Sequence, residues 1–249
     1  MTDLKNTVAV VTGSARGIGR AIAERFARFG ASVAINNTAS EVQARETVAA
    51  IEHFGTRAIA VQADVSKVAD IERLFATTIE SYGHVDIVVA NAGVKVVGVP
   101  LADVTEAEYD RVFGVNARGA FFTLRSAARH ITDNGRIIYV GSSSTAFPRP
   151  GYALYSGSKM APLLFAEVLA KELGARGVTV NSILPTVIAG AGLSTDDVRP
   201  QAREFIRTFN PMQRTGTVGD VADAAEYLAG DLSSFVSGQR LMVSGGAPA

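Results

Sequence analysis

The chain of 249 residues contains no cysteine and no tryptophan, and its 24 basic and 24 acidic residues balance. The absence of cysteine excludes disulfides, thiolate nucleophiles and zinc–thiolate sites, and it fits a reducing cytoplasm. Because there is no excess of positive charge, neither nucleic acid nor an anionic membrane is an expected partner. The histidines His53, His84 and His130 are too widely spaced to predict a metal site. No apolar run reaches the length of a membrane span, so we expect a soluble, cytoplasmic protein.

Short apolar, β-branched segments alternate with longer segments of helical periodicity, which is typical of βαβ units that build a parallel sheet. Strands are predicted at residues 7–12, 32–36, 57–61, 85–90, 136–141, 178–184 and 240–243. Helices are predicted at residues 18–29, 41–54, 67–82, 105–131, 152–173 and 218–228. The sequence therefore predicts an α/β, Rossmann-type fold: a doubly wound, seven-stranded parallel sheet with helices on both faces. No linker marks a boundary, so we expect a single domain over residues 1–249.

One segment, residues 185–216, interrupts this regularity because it is long and rich in Gly, Thr and Pro, with an amphipathic patch at residues 199–209. Long insertions after a parallel strand are often lids or substrate loops, so we expect this segment to shape the substrate pocket. Arg149 is a candidate contact for an anionic group, with a solvated surface position as the alternative. The side chains that predict an apolar or mixed pocket are Val94, Val96, Phe147 and Phe205.

A glycine-rich turn, Thr12-Gly13-Ser14-Ala15-Arg16-Gly17-Ile18-Gly19, follows the first strand and opens the first helix. Glycines let the backbone approach a pyrophosphate, and the helix N-terminus offers it unpaired N–H groups and a partial positive charge. The spacing G-x-x-x-G-x-G differs from the generic dinucleotide fingerprint G-x-G-x-x-G, and a turn that merely packs helix on strand is the alternative. No Gly-Lys-Ser/Thr follows, so a P-loop is excluded. The residues assigned to cofactor binding here are Gly13, Ser14, Arg16, Gly17, Ile18 and Gly19.

Tyr155 and Lys159 lie four residues apart on a predicted helix and therefore share a face. An ammonium near a phenol favours the phenolate, so we expect Lys159 to lower the pKa of Tyr155 and make it a usable acid and base. Ser142 follows the strand at residues 136–141, at the edge where open α/β sheets bind ligands, and its hydroxyl can hold a substrate oxygen. Alone, a Tyr-x-x-x-Lys pair is a weak signal, because most such pairs lie on a solvated helix face.

Together these residues make the chain resemble the short-chain dehydrogenase/reductase family, in its compact one-domain form, over residues 8–246. Further matching motifs are Asp64-Val65, Asn91-Ala92-Gly93 and Val115-Asn116. The resemblance implies that Asp64 and Val65 face the adenine and that Asn91 stabilises the sheet beside the cofactor, next to Ala92 and Gly93. It also implies that Asn116 binds a water that links Lys159 to solvent as a proton relay, while Lys159 holds the nicotinamide ribose. The implied catalytic set is Asn116, Ser142, Tyr155 and Lys159.

The chain departs from the family pattern mainly on the nicotinamide side of the site. The resemblance implies cofactor contacts by Pro185, Thr186 and Ile188, yet Thr186 stands where relatives often carry Gly, and Gly190 where they often carry Thr. Ala90 precedes Asn91 where relatives often have a second Asn, and Ser244 replaces the Asp of a Val-Asp-Gly-Gly sequence near the end. These departures affect the nicotinamide contacts and not the reacting groups.

The end of the second strand reads Asn36-Asn37-Thr38-Ala39-Ser40 and has no carboxylate. Enzymes that select NAD usually place Asp or Glu there to bind the ribose 2′-OH. Amides and hydroxyls can instead donate to a 2′-phosphate, so Asn36, Asn37 and Thr38 together with Arg16 predict NADP(H), with NAD as the less favoured alternative.

The sequence thus predicts an oxidoreductase that transfers hydride between NADP(H) and a carbonyl or secondary alcohol, with Tyr155 as general acid and base. Alternatives are a 3-oxoacyl thioester reductase, an NAD-dependent polyol or hydroxysteroid dehydrogenase, and a regulator that senses NADP without turnover. The helices at 105–131 and 152–173 carry more apolar residues than one sheet face requires, so we expect a homo-oligomer, by analogy with relatives a tetramer.

Overall fold

The computed structural model of the chain describes residues 2–191 and 210–247. Its strands are β1 (Val8–Val11), β2 (Ser32–Asn37), β3 (Ala58–Gln62), β4 (Val85–Ala90), β5 (Ile131–Val140), β6 (Thr179–Pro185), β7 (Ile188–Ala189), β8 (Gly216–Thr217) and β9 (Arg240–Val243). Seven of them form one parallel sheet in the order β3-β2-β1-β4-β5-β6-β9. The predicted doubly wound, seven-stranded parallel sheet is therefore confirmed.

Helices pack on both faces of this sheet. The α-helices of the described residues are α1 (Gly17–Arg28), α2 (Glu41–Glu52), α3 (Val68–Tyr82), α4 (Glu106–Phe113), α5 (Ala120–His130), α6 (Ala153–Glu172) and α7 (Val218–Ala229). One apolar cluster joins α3, α5 and α6 to the sheet, and a second joins α1, α2 and α7 to the opposite face. Strand side chains alternate between the clusters, so Val10 belongs to the first cluster and its neighbours Ala9 and Val11 to the second. Within the described residues, no helix combines the length and apolarity needed to cross a bilayer.

The strand order places a crevice near β1. The chain leaves β1 on one side towards β2 and β3, and later returns to its other side as β4. In open α/β sheets the connections diverge at such a switch point, and the carboxyl ends of the two central strands face open space. The fold thus brings the ends of β1 and β4 together at one cleft.

The predicted helix over residues 105–131 is present as one helical segment from Glu106 to His130, and its middle is wider than an α-helix. Between α4 and α5 lies a π-helical segment, Gly114–Gly119, and Ile131 begins β5 instead of ending the helix. A Cβ at Gly119 would lie 3.0 Å from the Val65 carbonyl oxygen, so the chain passes close to the end of β3 here. Glycines are poor helix formers, and single π turns occur mostly at functional sites. The widened turn carries Asn116.

Strand β5 begins earlier than the predicted residue 136 because its first half is irregular. Asn134 has φ 62°, and the register with β4 shifts between Val85 and Ile87. Regular pairing with β6 starts only at Arg136, which lies opposite Thr179. The predicted strand therefore corresponds to the part of β5 that is paired on both sides.

Near the two ends of the predicted substrate segment, residues 185–216, strands β7 and β8 pair to form a second, two-stranded sheet. Thr217 caps α7 in a capping box with Asp220, and Arg214 binds both carboxylate oxygens of Asp220 at 2.7 and 2.6 Å. The amphipathic patch at residues 199–209, including Phe205, lies outside the described residues.

Candidate active site

A cleft of about 600 Å³ opens at the carboxyl ends of β1, β2, β4 and β5. Residues from both halves of the sheet meet in its walls, so segments far apart in sequence form one site. The predicted cofactor residues that line it are Gly13, Arg16, Ile18, Gly19, Asn36, Asn37, Thr38, Asp64, Val65, Asn91, Ala92, Gly93, Tyr155 and Lys159.

The glycine turn forms the floor of the cleft where α1 begins. Gly13 and Gly17 adopt φ of +63° and +61°, which only glycine adopts without strain. A Cβ at Gly19 would lie 2.5 Å from the Gly13 carbonyl oxygen, so the turn folds tightly upon itself. The first turn of α1 contains no acidic residue, and its N–H groups and dipole can bind a pyrophosphate. A dinucleotide therefore fits this end of the cleft.

Several residues predicted as cofactor contacts do not line this cleft as the described residues form it: Ser14, Gly17, Pro185, Thr186 and Ile188. Ser14 is fully buried, donates to the Val11 carbonyl at 2.6 Å and accepts from the Asn36 N–H at 3.0 Å. Its hydroxyl therefore connects the glycine turn to β1 and β2. A Cβ at Gly17 would lie 2.6 Å from the Ala191 carbonyl oxygen. Because Gly17 has no side chain, Ala191 of the predicted substrate segment can pack directly against the glycine turn.

The expectation that the Asn36 amide donates a hydrogen bond to the 2′-phosphate needs correction. The side chain is 2% exposed, and its amide nitrogen donates to the carbonyls of Ala63 at 2.9 Å and Val61 at 3.3 Å. Its amide oxygen accepts the Gly13 N–H at 3.0 Å. Because these hydrogen bonds use both its donor and its acceptor groups, Asn36 joins β2 and β3 to the glycine turn. Asn37, Thr38 and Arg16 remain in the cleft wall, with Arg16 exposed.

The cleft is also lined by residues that the sequence reasoning did not identify: Ser66, Asp110, Arg111, Gly114 and Ala191. The Asp64 carboxylate accepts hydrogen bonds from the Ser66 N–H at 3.0 Å and from its hydroxyl at 2.7 Å. Asp110 and Gly114 are four residues apart, as are Arg111 and Val115, and this helical spacing was the available signal.

Asn91 lies at the end of β4 and connects it to the glycine turn. Its amide donates to the Thr12 carbonyl at 2.9 Å and to the Gly13 carbonyl at 3.2 Å. The Thr12 hydroxyl accepts the N–H groups of Asn91 and Ala92, both at 3.0 Å. The two central strands are therefore fixed to each other directly beneath the cleft.

Tyr155 and Lys159 lie on successive turns of α6, and both line the cleft. Burial raises the pKa of Tyr155, a hydrogen bond with the Ser142 hydroxyl lowers it, and the nearby phenol of Tyr152 raises it. The expected lowering by the Lys159 ammonium is not what the structure shows. That ammonium donates to the Val140 carbonyl at 3.0 Å, and burial lowers the pKa of Lys159 to about 8. Burial is thus the largest cause of both pKa shifts, and Lys159 is not among the groups that shift the pKa of Tyr155.

Asn116 is fully buried in the π-helical segment and forms three hydrogen bonds. Its oxygen accepts the Val94 N–H at 2.8 Å, and its nitrogen donates to the Val94 carbonyl at 2.8 Å and to the Ser158 hydroxyl at 2.9 Å. A Cβ at Gly93 would lie 3.0 Å from Lys159 Nζ and 3.3 Å from Asn116 Oδ1. The lysine and the asparagine therefore converge on one point of the backbone.

Among the described residues, no group of three or more His, Asp or Glu side chains could hold a metal ion. The groups near the carboxyl end of β5 that can take part in proton transfer are the Tyr155 phenol, the Ser142 hydroxyl and the Lys159 ammonium.

Comparison with known proteins identifies a family and several solved structures that this chain resembles. The profile of the family described as "Enoyl-(Acyl carrier protein) reductase" matches residues 13–248. The short-chain dehydrogenase/reductase GME11373 of Pestalotiopsis microspora is 42% identical over 98% of this chain and 96% of its own length. A short chain dehydrogenase from Burkholderia cenocepacia, solved in complex with NADP, is 36% identical with a TM-score of 0.93, covering 99% of both chains. The promiscuous reductase LugOII, which catalyses keto-reduction at C1 during lugdunomycin biosynthesis, is 38% identical with a TM-score of 0.92, again over 99% of both chains.

Proposed function

Because the chain belongs to the short-chain dehydrogenase/reductase family and is an oxidoreductase, we propose that it reduces a ketone to a secondary alcohol with NADPH, and catalyses the reverse oxidation with NADP. The observation that carries this proposal is the position of Tyr155. Its phenol is buried at the cleft wall, near enough to the Ser142 hydroxyl for that group to lower its pKa, and one helical turn from the Lys159 ammonium. A proton donor, a second hydroxyl and a cation thus meet where the sheet ends.

The cofactor and the residues of the chain supply different parts of the reaction. When bound, the nicotinamide supplies the hydride; the protein supplies orientation and the proton. The substrate carbonyl lies between Ser142 and Tyr155, and the Tyr155 hydroxyl donates its proton to the oxygen as negative charge develops. Because burial raises the pKa of Tyr155, the phenol stays protonated at neutral pH, which suits the reductive direction. Lys159 would hold the nicotinamide ribose, and Asn116 would bind a water that links Lys159 to solvent.

The preference for NADPH follows from charge at the end of β2. Asn37 and Thr38 line the cleft there with no carboxylate, and the exposed Arg16 guanidinium lies at the N-cap of α1. A 2′-phosphate would meet a cation and polar groups, whereas an NAD-selecting site offers a carboxylate to the 2′-hydroxyl. The NADP complex of the Burkholderia relative supports this assignment. It is tested by comparing kcat/KM for NADPH and NADH, and equal or better efficiency with NADH would contradict it.

The substrate class is a ketone with an apolar or mixed body. Val94 lines the cleft, and we expect Val96 and Phe147 to contribute to the pocket beside Tyr155. LugOII, which catalyses a keto-reduction, supports the choice of a ketone. A spectrophotometric NADPH-oxidation screen over aromatic ketones, ketoesters, 3-oxoacyl thioesters, enoyl thioesters, hydroxysteroid precursors and sugars tests it. Turnover of ketones is the expected result. Turnover of enoyl thioesters alone would contradict the carbonyl assignment, and tight NADPH binding without turnover of any compound would favour a sensor.

We further propose that the enzyme is a homo-oligomer built on α5 and α6. Met160, Leu164 and Val168 recur every fourth residue along α6 and are 42%, 57% and 46% exposed, beside the 43% exposed Phe121 of α5. An apolar stripe of this kind is typical of a subunit interface. Light scattering should give a dimer or tetramer, and Leu164→Glu should reduce the assembly. A monomeric wild-type protein at micromolar concentration would contradict the proposal.

A further inference from the structure

Lys159 carries a buried ammonium without a carboxylate partner among the described residues. The residue is 3% exposed, and the hydrogen bond that its Nζ forms within the described part of the chain runs to the Val140 carbonyl at 3.0 Å. Burial lowers its pKa, and no carboxylate of those residues offsets that fall. Because a buried charge is costly unless it is paired, any further group that favours the ammonium decides how much of it is charged near neutral pH.

The ring of Tyr139 is such a group. Lys159 Nζ lies over this ring, 5.4 Å from its centroid. The face of an aromatic ring carries partial negative charge and attracts a cation within about 6 Å, most strongly where water is excluded. Tyr139 is 1% exposed, so water is excluded from both partners. The ring face thus joins the Val140 carbonyl in stabilising the positive charge.

Tyr139 is fixed in this position by β5 and by its own hydroxyl. With Ile137 and Leu163 it belongs to the apolar cluster that joins α6 to the sheet. Its hydroxyl donates to the backbone carbonyl of Lys159 at 3.3 Å. A Cβ at Gly141 would lie 3.3 Å from Tyr139 Cε1, so the missing side chain leaves room for the ring. The same tyrosine therefore contacts both the backbone and the ammonium of Lys159.

We propose that Tyr139 is a positioning residue whose ring face keeps the Lys159 side chain positively charged at the cleft wall, beside Tyr155. This inference rests on the proposed carbonyl reduction, in which Lys159 would hold the nicotinamide ribose. Tyr139 itself does not line the cleft as the described residues form it, and burial holds its pKa well above the usual value, so its phenol stays neutral. The titratable groups beside Lys159 are the phenols of Tyr139 and Tyr155, because Asn116 of the π-helical segment and Gly93 after β4 do not titrate.

The experiment follows the NMR signal of Lys159 Cε as the pH is raised, in protein that carries isotope-labelled lysine. The signal is assigned by its absence in Lys159→Met. Tyr139→Phe keeps the ring face, so the pKa of Lys159 should stay at about 8. Fluorinated phenylalanines at position 139 withdraw electrons from the ring with little change of shape, and the pKa should fall with each added fluorine. Tyr139→Leu removes the ring and should lower the pKa to about 7.

Phe75→Leu is the matched control for the space that Tyr139→Leu leaves empty. Phe75 is fully buried in the same apolar cluster, and its ring packs against His130. Within the described residues, no cation–π contact joins it to Lys159. Phe75→Leu should therefore destabilise the fold to a comparable degree, measured by urea unfolding, and leave the pKa of Lys159 unchanged.

The NMR titration needs no turnover, so it separates this inference from the proposed function. A Lys159 pKa that does not respond to fluorination, or that falls equally in Phe75→Leu, would overturn the role of Tyr139 while leaving carbonyl reduction intact. In ketone reduction, the pH above which kcat/KM for NADPH falls should move down by about one pH unit in Tyr139→Leu. At about pH 6, where Lys159 is charged in both proteins, NADPH affinity should match wild type. If the pKa follows fluorination but no carbonyl is reduced, the proposed reaction fails and the effect of Tyr139 on Lys159 stands.

Discussion

Replacing Asn36 by Ala tests whether this asparagine stabilises the fold through its hydrogen bonds or binds the 2′-phosphate of NADPH. In the structure its short hydrogen bonds join Gly13 and Ala63, at 3.0 and 2.9 Å. Each buried backbone group left without a partner costs about 1–3 kcal/mol, so the two together predict a loss of about 2–6 kcal/mol of unfolding free energy. For a chain of this size that corresponds to a fall in Tm of about 4–24 °C.

The assay pairs thermal unfolding with the kinetics of both cofactors, and Asn37→Ala is the matched control. Asn37 adjoins Asn36 and lines the cleft, but its side chain has no hydrogen bond to the described residues. Asn37→Ala should cost less stability than Asn36→Ala, because its side chain has no such hydrogen bond to lose, and should raise KM for NADPH more than for NADH. Asn36→Ala should weaken both cofactors alike, because the glycine turn serves both. The reasoning is refuted if Asn36→Ala unfolds at the wild-type temperature and selectively loses NADPH.

Four further substitutions test other parts of the structure. Gly17→Ala places a Cβ 2.6 Å from the Ala191 carbonyl oxygen and should lower NADPH affinity about tenfold or more, measured by fluorescence titration. Gly55→Ala, at φ +81° in open space, should cost only the backbone strain of about 1–2 kcal/mol and leave affinity unchanged. Because burial lowers the pKa of Lys159 to about 8, the unfolded chain binds this proton more tightly. Stability relative to Lys159→Met should therefore rise from about pH 8 to about pH 10 in urea titrations, and a flat difference would contradict this. The hydrogen bond from Arg214 lowers the pKa of Asp220, so Asp220→Asn should cost about 1 kcal/mol at neutral pH in the same titrations. That deficit should shrink as the pH falls below about 4, and equal stability at neutral pH would show that the cap contributes nothing.

The features that the sequence predicts well are local ones. The glycine turn is readable because strand, glycines and helix are contiguous, and the shared face of Tyr155 and Lys159 follows from their spacing of four. The alternation of apolar strands and amphipathic helices suffices for the sheet.

The features that it misses depend on distant backbone groups. The role of Asn36 is set by carbonyls of β3, some 25 residues away, and the helix through Asn116 widens where the side chain bonds to Val94. Neither partner can be identified from periodicity. The pKa of Tyr155 shows the same limit, because the spacing suggests a lowering by Lys159, whereas burial in the folded chain raises it. Desolvation is a tertiary property that no local pattern reports.

The most direct test of the account is the rate of ketone reduction by Tyr155→Phe, measured together with its affinity for NADPH. Loss of a general acid predicts a fall in kcat of about 10²- to 10⁴-fold. Affinity for NADPH should remain close to that of wild type, because the glycine turn and the end of β2 are untouched. A Tyr155→Phe enzyme that reduces the ketone at a near-normal rate would contradict the central claim that this phenol donates the proton.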